Sequence, residues 1–257
     1  MEENKFENYV HTRVVLYADK ENNGLLSCSI KDNTKNGKPF ASITSYTISK
    51  YRDEQGELKS AFVKLLTSDE KLIDMLKNDK IKANSRVVIS GFKRENGDIA
   101  ITSKGFNYLT NIDRLNELKK SAKNKEEIKY PSIAVYGKFV PKSEYSNLDK
   151  GQMSFVVMDN TYDKNTETQK TITSFIDLKL NEKQSQGLKK LADKMGGLEN
   201  IHMIINANID KDGKFNVVSS NFEESAKSLY EDRQKEIAKW KAEQNEQNKN
   251  NGEEYPF

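Results

Sequence analysis

The chain is poor in the residues that do most catalytic and metal chemistry: its 257 residues include one cysteine, two histidines, one tryptophan and four prolines. Each scarcity closes a class of explanation. With Cys28 alone there is no disulfide framework and no paired-cysteine zinc site. His11 and His202 stand singly in strand-like segments, so metal motifs of the His-Glu-x-x-His type are missing. No glycine-rich loop leads into Lys and Ser or Thr, which argues against phosphate cradling. Asn208-x-Asp210-x-Asp212-Gly213 is spaced like the first half of a calcium loop, but Ser219 occupies the place of the bidentate glutamate, so a hairpin turn is expected. No apolar run reaches membrane-spanning length, and the first residues, MEENKFENYV, contain neither the basic nor the apolar region of a signal peptide. A cytoplasmic, non-enzymatic chain without cofactor or metal is therefore expected.

Apolar residues make up 35% of the chain and charged residues 32%, values that suit small domains with much surface. The formal net charge is only +3, but it is unevenly spread. Residues 1–222 hold 36 cationic and 30 anionic side chains, whereas residues 223–257 hold six and nine. An acidic C-terminal segment thus masks a basic body, a balance compatible with nucleic acid as a partner. Alternation in Leu25 to Ile30 puts Cys28 on one face with Leu26 and Ile30, which predicts a buried strand thiol.

The two halves repeat one strand grammar at a spacing of about 115 residues. In the first, Ala61 to Leu66 reads as a strand, Thr67 to Lys80 as a helix, Arg86 to Phe92 as a strand, Glu95-Asn96-Gly97-Asp98 as a hairpin turn and Ile99 to Thr102 as the returning strand. In the second, Ile172 to Leu180, Asn181 to Met195, His202 to Asn208, Lys211 to Lys214 and Phe215 to Ser219 take the same roles. Upstream lie His11 to Tyr17, running on to Leu25 to Ile30, and Pro39 to Ile48, matched by Ser132 to Val140 and Gln152 to Tyr162. Five strands with one helix between the third and fourth is the order of the oligonucleotide/oligosaccharide-binding (OB) barrel. The expected fold is mainly β, with two tandem OB-fold barrels over residues 1–110 and 132–222, a helical connector at 111–131, a polar helix at 223–245 and a disordered acidic tail at 246–257.

The run Phe62-Val63-Lys64-Leu65-Leu66, the helix Glu70 to Lys77 and the strand Arg86 to Gly91 resemble bacterial and phage single-stranded DNA-binding proteins. So does the ending Glu253-Glu254-Tyr255-Pro256-Phe257, which follows a stretch of Gln, Asn, Lys and Glu. The resemblance implies a protein that coats single-stranded DNA with little sequence preference during replication, recombination or repair. It also implies that Glu253, Glu254, Tyr255, Pro256 and Phe257 recruit partner enzymes: carboxylates meet a cationic rim, the terminal ring fills an apolar hole, and proline limits the entropy lost on docking. Double-barrel members of the family pair, so a homodimer is a further implication.

Single strands are held by rings that stack on bases and cations that follow phosphates. Alternation turns Phe62 and Lys64 outward while Ala61, Val63 and Leu65 face a core, and turns Tyr46 outward against Ala41 and Ile43. Lys50, Tyr51 and Arg52 open one hairpin; Phe92, Lys93 and Arg94 open another; both are expected to act as basic fingers. Phe175 and Lys179 are the outward counterparts in the second half, where Asp177 replaces Lys64 and argues for a weaker site. Tyr136, Lys138, Phe155 and Tyr162 are further counterparts, several of which must be core. An OB-fold adaptor of a replication or conjugation complex and an RNA-binding barrel fit the same residues, because stacking does not distinguish the sugars.

Overall fold

The computed structural model describes residues 8–32, 37–124, 126, 131–163 and 168–251. The acidic tip from Glu253 to Phe257 lies outside the described residues, as does the side chain of Tyr162. The chain divides into two compact units, residues 1–107 with 224–257, and residues 108–223.

In the first unit five strands carry the apolar alternation: β1 (Tyr9–Leu16), β2 (Pro39–Thr47), β3 (Phe62–Thr67), β4 (Arg86–Lys93) and β5 (Ile99–Tyr108). They pair in the order β1-β4-β5-β3-β2, and β2 returns to β1, so the sheet closes on itself. The β3–β5 pairing is parallel, whereas β1–β4, β2–β3 and β1–β2 are antiparallel. Inward residues Val14, Leu16, Ile43, Val63, Leu65, Ile89 and Ile99 are essentially inaccessible and fill the barrel. Helix α1 (Glu70–Lys77) follows β3 and contributes Leu72, Ile73 and Leu76 to that core. Its N-terminus is tied by Asp69, which accepts from the backbone N–H of Leu72 at 3.0 Å and from both the N–H and hydroxyl of Ser103 at 3.1 Å.

Burial alone would raise the Asp69 pKa, but these hydrogen bonds from Ser103 and Leu72 outweigh it and hold the carboxyl below its ordinary value. A depressed folded-state pKa stabilises above the unfolded value of about 3.9 and is lost as pH falls through the folded value. Asp69→Ala is therefore expected to cost about 1–3 kcal/mol near neutrality. The gap from wild type should narrow between neutral pH and acid below the unfolded-state value of about 3.9, as read by urea midpoints. A gap of the same size at both pH values would remove the assigned role.

The second unit repeats the design with β6 (Ser132–Phe139), β7 (Gln152–Asp163), β8 (Thr168–Lys179), β9 (His202–Ile209) and β10 (Phe215–Asn221), closed in the order β6-β7-β8-β10-β9. Again the third and fifth strands are parallel, Leu178 lying beside Phe215. Both halves therefore have the pairing order of the OB barrel. Phe139, Phe155 and Phe215 form the centre, the first two edge to face at 5.3 Å. Phe155 is thus core, and Tyr136 is half-buried and stacked on His202 at 5.8 Å. Gly137 is required by close approach, since a Cβ there would fall 1.9 Å from the Val156 carbonyl oxygen. Helix α3 (Glu182–Met195) occupies the place of α1, with a capping box between Asn181 and Gln184.

Helices α2 (Ile112–Lys123) and α4 (Ala226–Asn251) correct the expected partition. The segment expected to be a connector is part of the second unit: its stripe Ile112, Leu115, Leu118 and Ala122 is buried in that core, because an apolar face on a helix gains more by burial than by bridging solvent. The first turns of α4 belong to the first unit, where Ala226 and Leu229 are buried in the barrel core, while Ile237 and Trp240 further along are exposed. Cys28 is also corrected. Its strand, Cys28–Asp32, is an added edge paired to β2 outside the closed barrel, and the thiol is exposed.

Candidate nucleic-acid interface

The antiparallel β2–β3 pair sets Tyr46 directly opposite Phe62 and Thr44 opposite Lys64. Because Ala41, Ile43, Val63 and Leu65 face the core, alternation pushes these four side chains outward. Phe62 is 54% exposed, and Tyr46 is half-buried beside it. A third ring completes the group: Tyr17, just after β1, meets Phe62 edge to face with centroids 6.0 Å apart. Tyr17 was not among the sequence-expected residues, although it continues the outward parity of Val15, which lies beside Tyr46.

The flanking turn between β4 and β5 adds charge. Arg94 is exposed, and its backbone N–H donates to the Asp98 carbonyl at 2.8 Å. Burial raises the Asp98 pKa, opposed by Arg233, by a hydrogen bond from Asn96, and by Lys64 and Arg94. Lys50 is exposed at the start of the other hairpin, and Arg52 donates to the Gly56 carbonyl at 2.6 Å, which fixes its own turn.

Several expected site residues are used otherwise. Tyr51 is buried and stacked on Tyr230 of α4 at 4.5 Å, which corrects its place in a finger that folds over the strand. Its two-residue strand Tyr51–Arg52 turns the ring inward to meet the returning helix. Lys93 is not an open finger: its amine lies 3.0 Å from Glu224 and 3.0 Å from Asp232. Burial would lower its pKa, but the bonds to these two carboxylates outweigh that and raise it. Phe92 is 50% exposed but belongs to a separate β1–β4 cluster, edge to face with Tyr9 at 5.0 Å. In the second unit Phe175 is 61% exposed, while Lys179 is ion-paired with Asp210 at 2.6 Å rather than open.

Among the described residues no group of three or more His, Cys, Asp or Glu is placed to hold a metal ion, and no described helix is long and apolar enough to cross a membrane. No family model and no curated protein matches the chain. Among solved structures it is similar to a Plasmodium falciparum single-stranded DNA-binding protein in complex with single-stranded DNA, at 18% identity over 43% of this chain and 100% of that one, with a TM-score of 0.30. The small single-stranded DNA-binding protein of Streptomyces coelicolor matches at 12% identity over 39% of this chain and 82% of that one, with a TM-score of 0.23. The wild-type single-stranded DNA-binding protein of Thermus aquaticus matches at 8% identity over 84% and 93% of the two chains, with a TM-score of 0.24. All three are single-stranded DNA-binding proteins by name, and all three match at TM-scores below one half; both halves of this chain are OB barrels by their own pairing order.

Proposed function

We propose that the chain binds single-stranded DNA on the β2–β3 face of its first barrel, coating it with little sequence preference during replication, recombination or repair. The observation that carries this reading is the exposed Phe62 ring, set opposite Tyr46 and against Tyr17, with Lys64 outward on the same strand. Each base presents a π face to such rings whatever its identity, and the cations follow the phosphates, so affinity comes without base-edge readout. A duplex keeps its bases stacked internally and cannot use the platform.

The test is titration of labelled oligo-dT and of a matched duplex over a salt series. Single strands should bind far more tightly, with affinity falling as salt rises; equal affinity for both, or none lost to salt, removes the reading. Matched RNA oligomers in the same series assign the sugar preference.

We further propose that Glu253, Glu254, Tyr255, Pro256 and Phe257 recruit replication, recombination or repair enzymes. The segment is acidic and the body basic, so the tip also competes weakly with DNA for the same cations. Deleting these five residues should abolish capture of a partner enzyme and slightly tighten oligo-dT binding at low salt. A deletion that alters neither leaves Pro256 and Phe257 as a chain end only.

A further inference from the structure

Strand pairing aligns the two barrels residue by residue without reference to sequence similarity. Ser45 opposes Val63 in the first, and Phe155 opposes Ile176 in the second. Ile99 lies beside Leu65, and Phe215 beside Leu178. The turns match too, since Arg94 donates to Asp98 and Asp210 to Lys214 through equivalent 2.8 Å backbone bonds. In that frame the ring group Tyr17, Tyr46 and Phe62 becomes Val140, Val156 and Phe175. The platform has lost two of its three rings.

The charges at the same place are inverted. Lys64 becomes Asp177, Arg94 becomes Asp210, and Asp98 becomes Lys214. The second barrel also uses its own cations: Lys214 lies 2.6 Å from Asp177, and Lys179, which stands where Leu66 does, 2.6 Å from Asp210. The amine of Lys214 further sits 4.3 Å from the centre of the Tyr145 ring. Tyr145 belongs to the loop between β6 and β7, which Ser143 and Ser146 pin to Ser154 by bonds of 2.8 and 3.0 Å. A ring on a cation and a carboxylate on each lysine are the contacts that a base and phosphates would otherwise make.

From this arrangement we infer that the β7–β8 face of the second barrel is a charge-inverted, self-occupied copy of the first, with Tyr145 in the place of a base and Asp177 and Asp210 in the place of phosphates, so that one barrel alone holds the strand. The inference rests on the proposed function and adds which face does the work. It sets the footprint near that of a single barrel, between about 4 and 16 nucleotides.

The experiment uses the full chain and labelled oligo-dT at fixed low salt. Phe62→Ala should raise the Kd at least about fivefold while Phe175→Ala leaves it within about twofold. In the Phe62→Ala background, Asp177→Lys with Asp210→Arg should recover at least about fivefold in affinity, since it removes the internal phosphate mimics and restores the first barrel's signs. Asp177→Asn with Asp210→Asn, a milder pair, should recover part of it and serves if the first combination unfolds. A loss with Phe175→Ala as large as with Phe62→Ala, or no gain from either folded pair, overturns the inference. Failure of the wild-type chain to bind oligo-dT would instead overturn the proposed function.

Discussion

Replacing Phe62 with alanine is expected to weaken single-strand binding by about 1–3 kcal/mol, and Tyr46→Ala by a similar amount, with no change in the fold. Both rings project from strands whose opposite faces are packed, so truncation removes contact surface without opening a cavity. The two effects should not add. Tyr46 and Phe62 are cross-strand neighbours, so a base stacked on one is steadied by the other, and the double substitution should cost less than the two single costs together. Titrations of the four variants form a double-mutant cycle. Unchanged affinity in a folded Phe62→Ala protein would assign the platform a structural role.

Leu229→Ala is expected to destabilise the first unit by about 2–5 kcal/mol, the usual cost of emptying a fully buried leucine site. Leu229 has no accessible surface, and around it α4 is fastened to the barrel by the Tyr51–Tyr230 stack, by Lys93 with Glu224 and Asp232, and by Arg233 with Asp98 at 3.3 Å. Gly97 shows how close the helix lies, since a Cβ there would fall 2.9 Å from the Leu229 carbonyl oxygen. The loss should appear in urea unfolding followed in the first unit, and binding should weaken with it because the helix braces the turn that carries Arg94. A stability change below about 1 kcal/mol would mean the helix is only laid against the barrel.

Period-two alternation was informative wherever one face of a strand is packed. It placed Phe62 and Lys64 outside and Val63 and Leu65 inside, because a one-residue slip would bury charge. Tyr51 escaped the same reasoning: a two-residue strand after a turn has no parity to read, and the ring that buries it comes from the last helix. Lys93 and Lys179 looked like open cations because ion pairing depends on residues far away in sequence. Tyr17 could have been found by extending the parity of β1 beyond its last hydrogen-bonded residue. Cys28 misled because Leu25–Leu26 and Cys28–Asp32 form two short strands broken at Ser27, not one run.

The crossed placement of the helices also bears on synthesis. The helix that follows the first barrel completes the second, and the helix that follows the second completes the first. A chain emerging from the ribosome can close the second barrel as soon as residues 108–223 are free, but the first waits for Leu229 and its neighbours. The half made first is thus finished last, and a truncated nascent chain lacks a sealed first barrel.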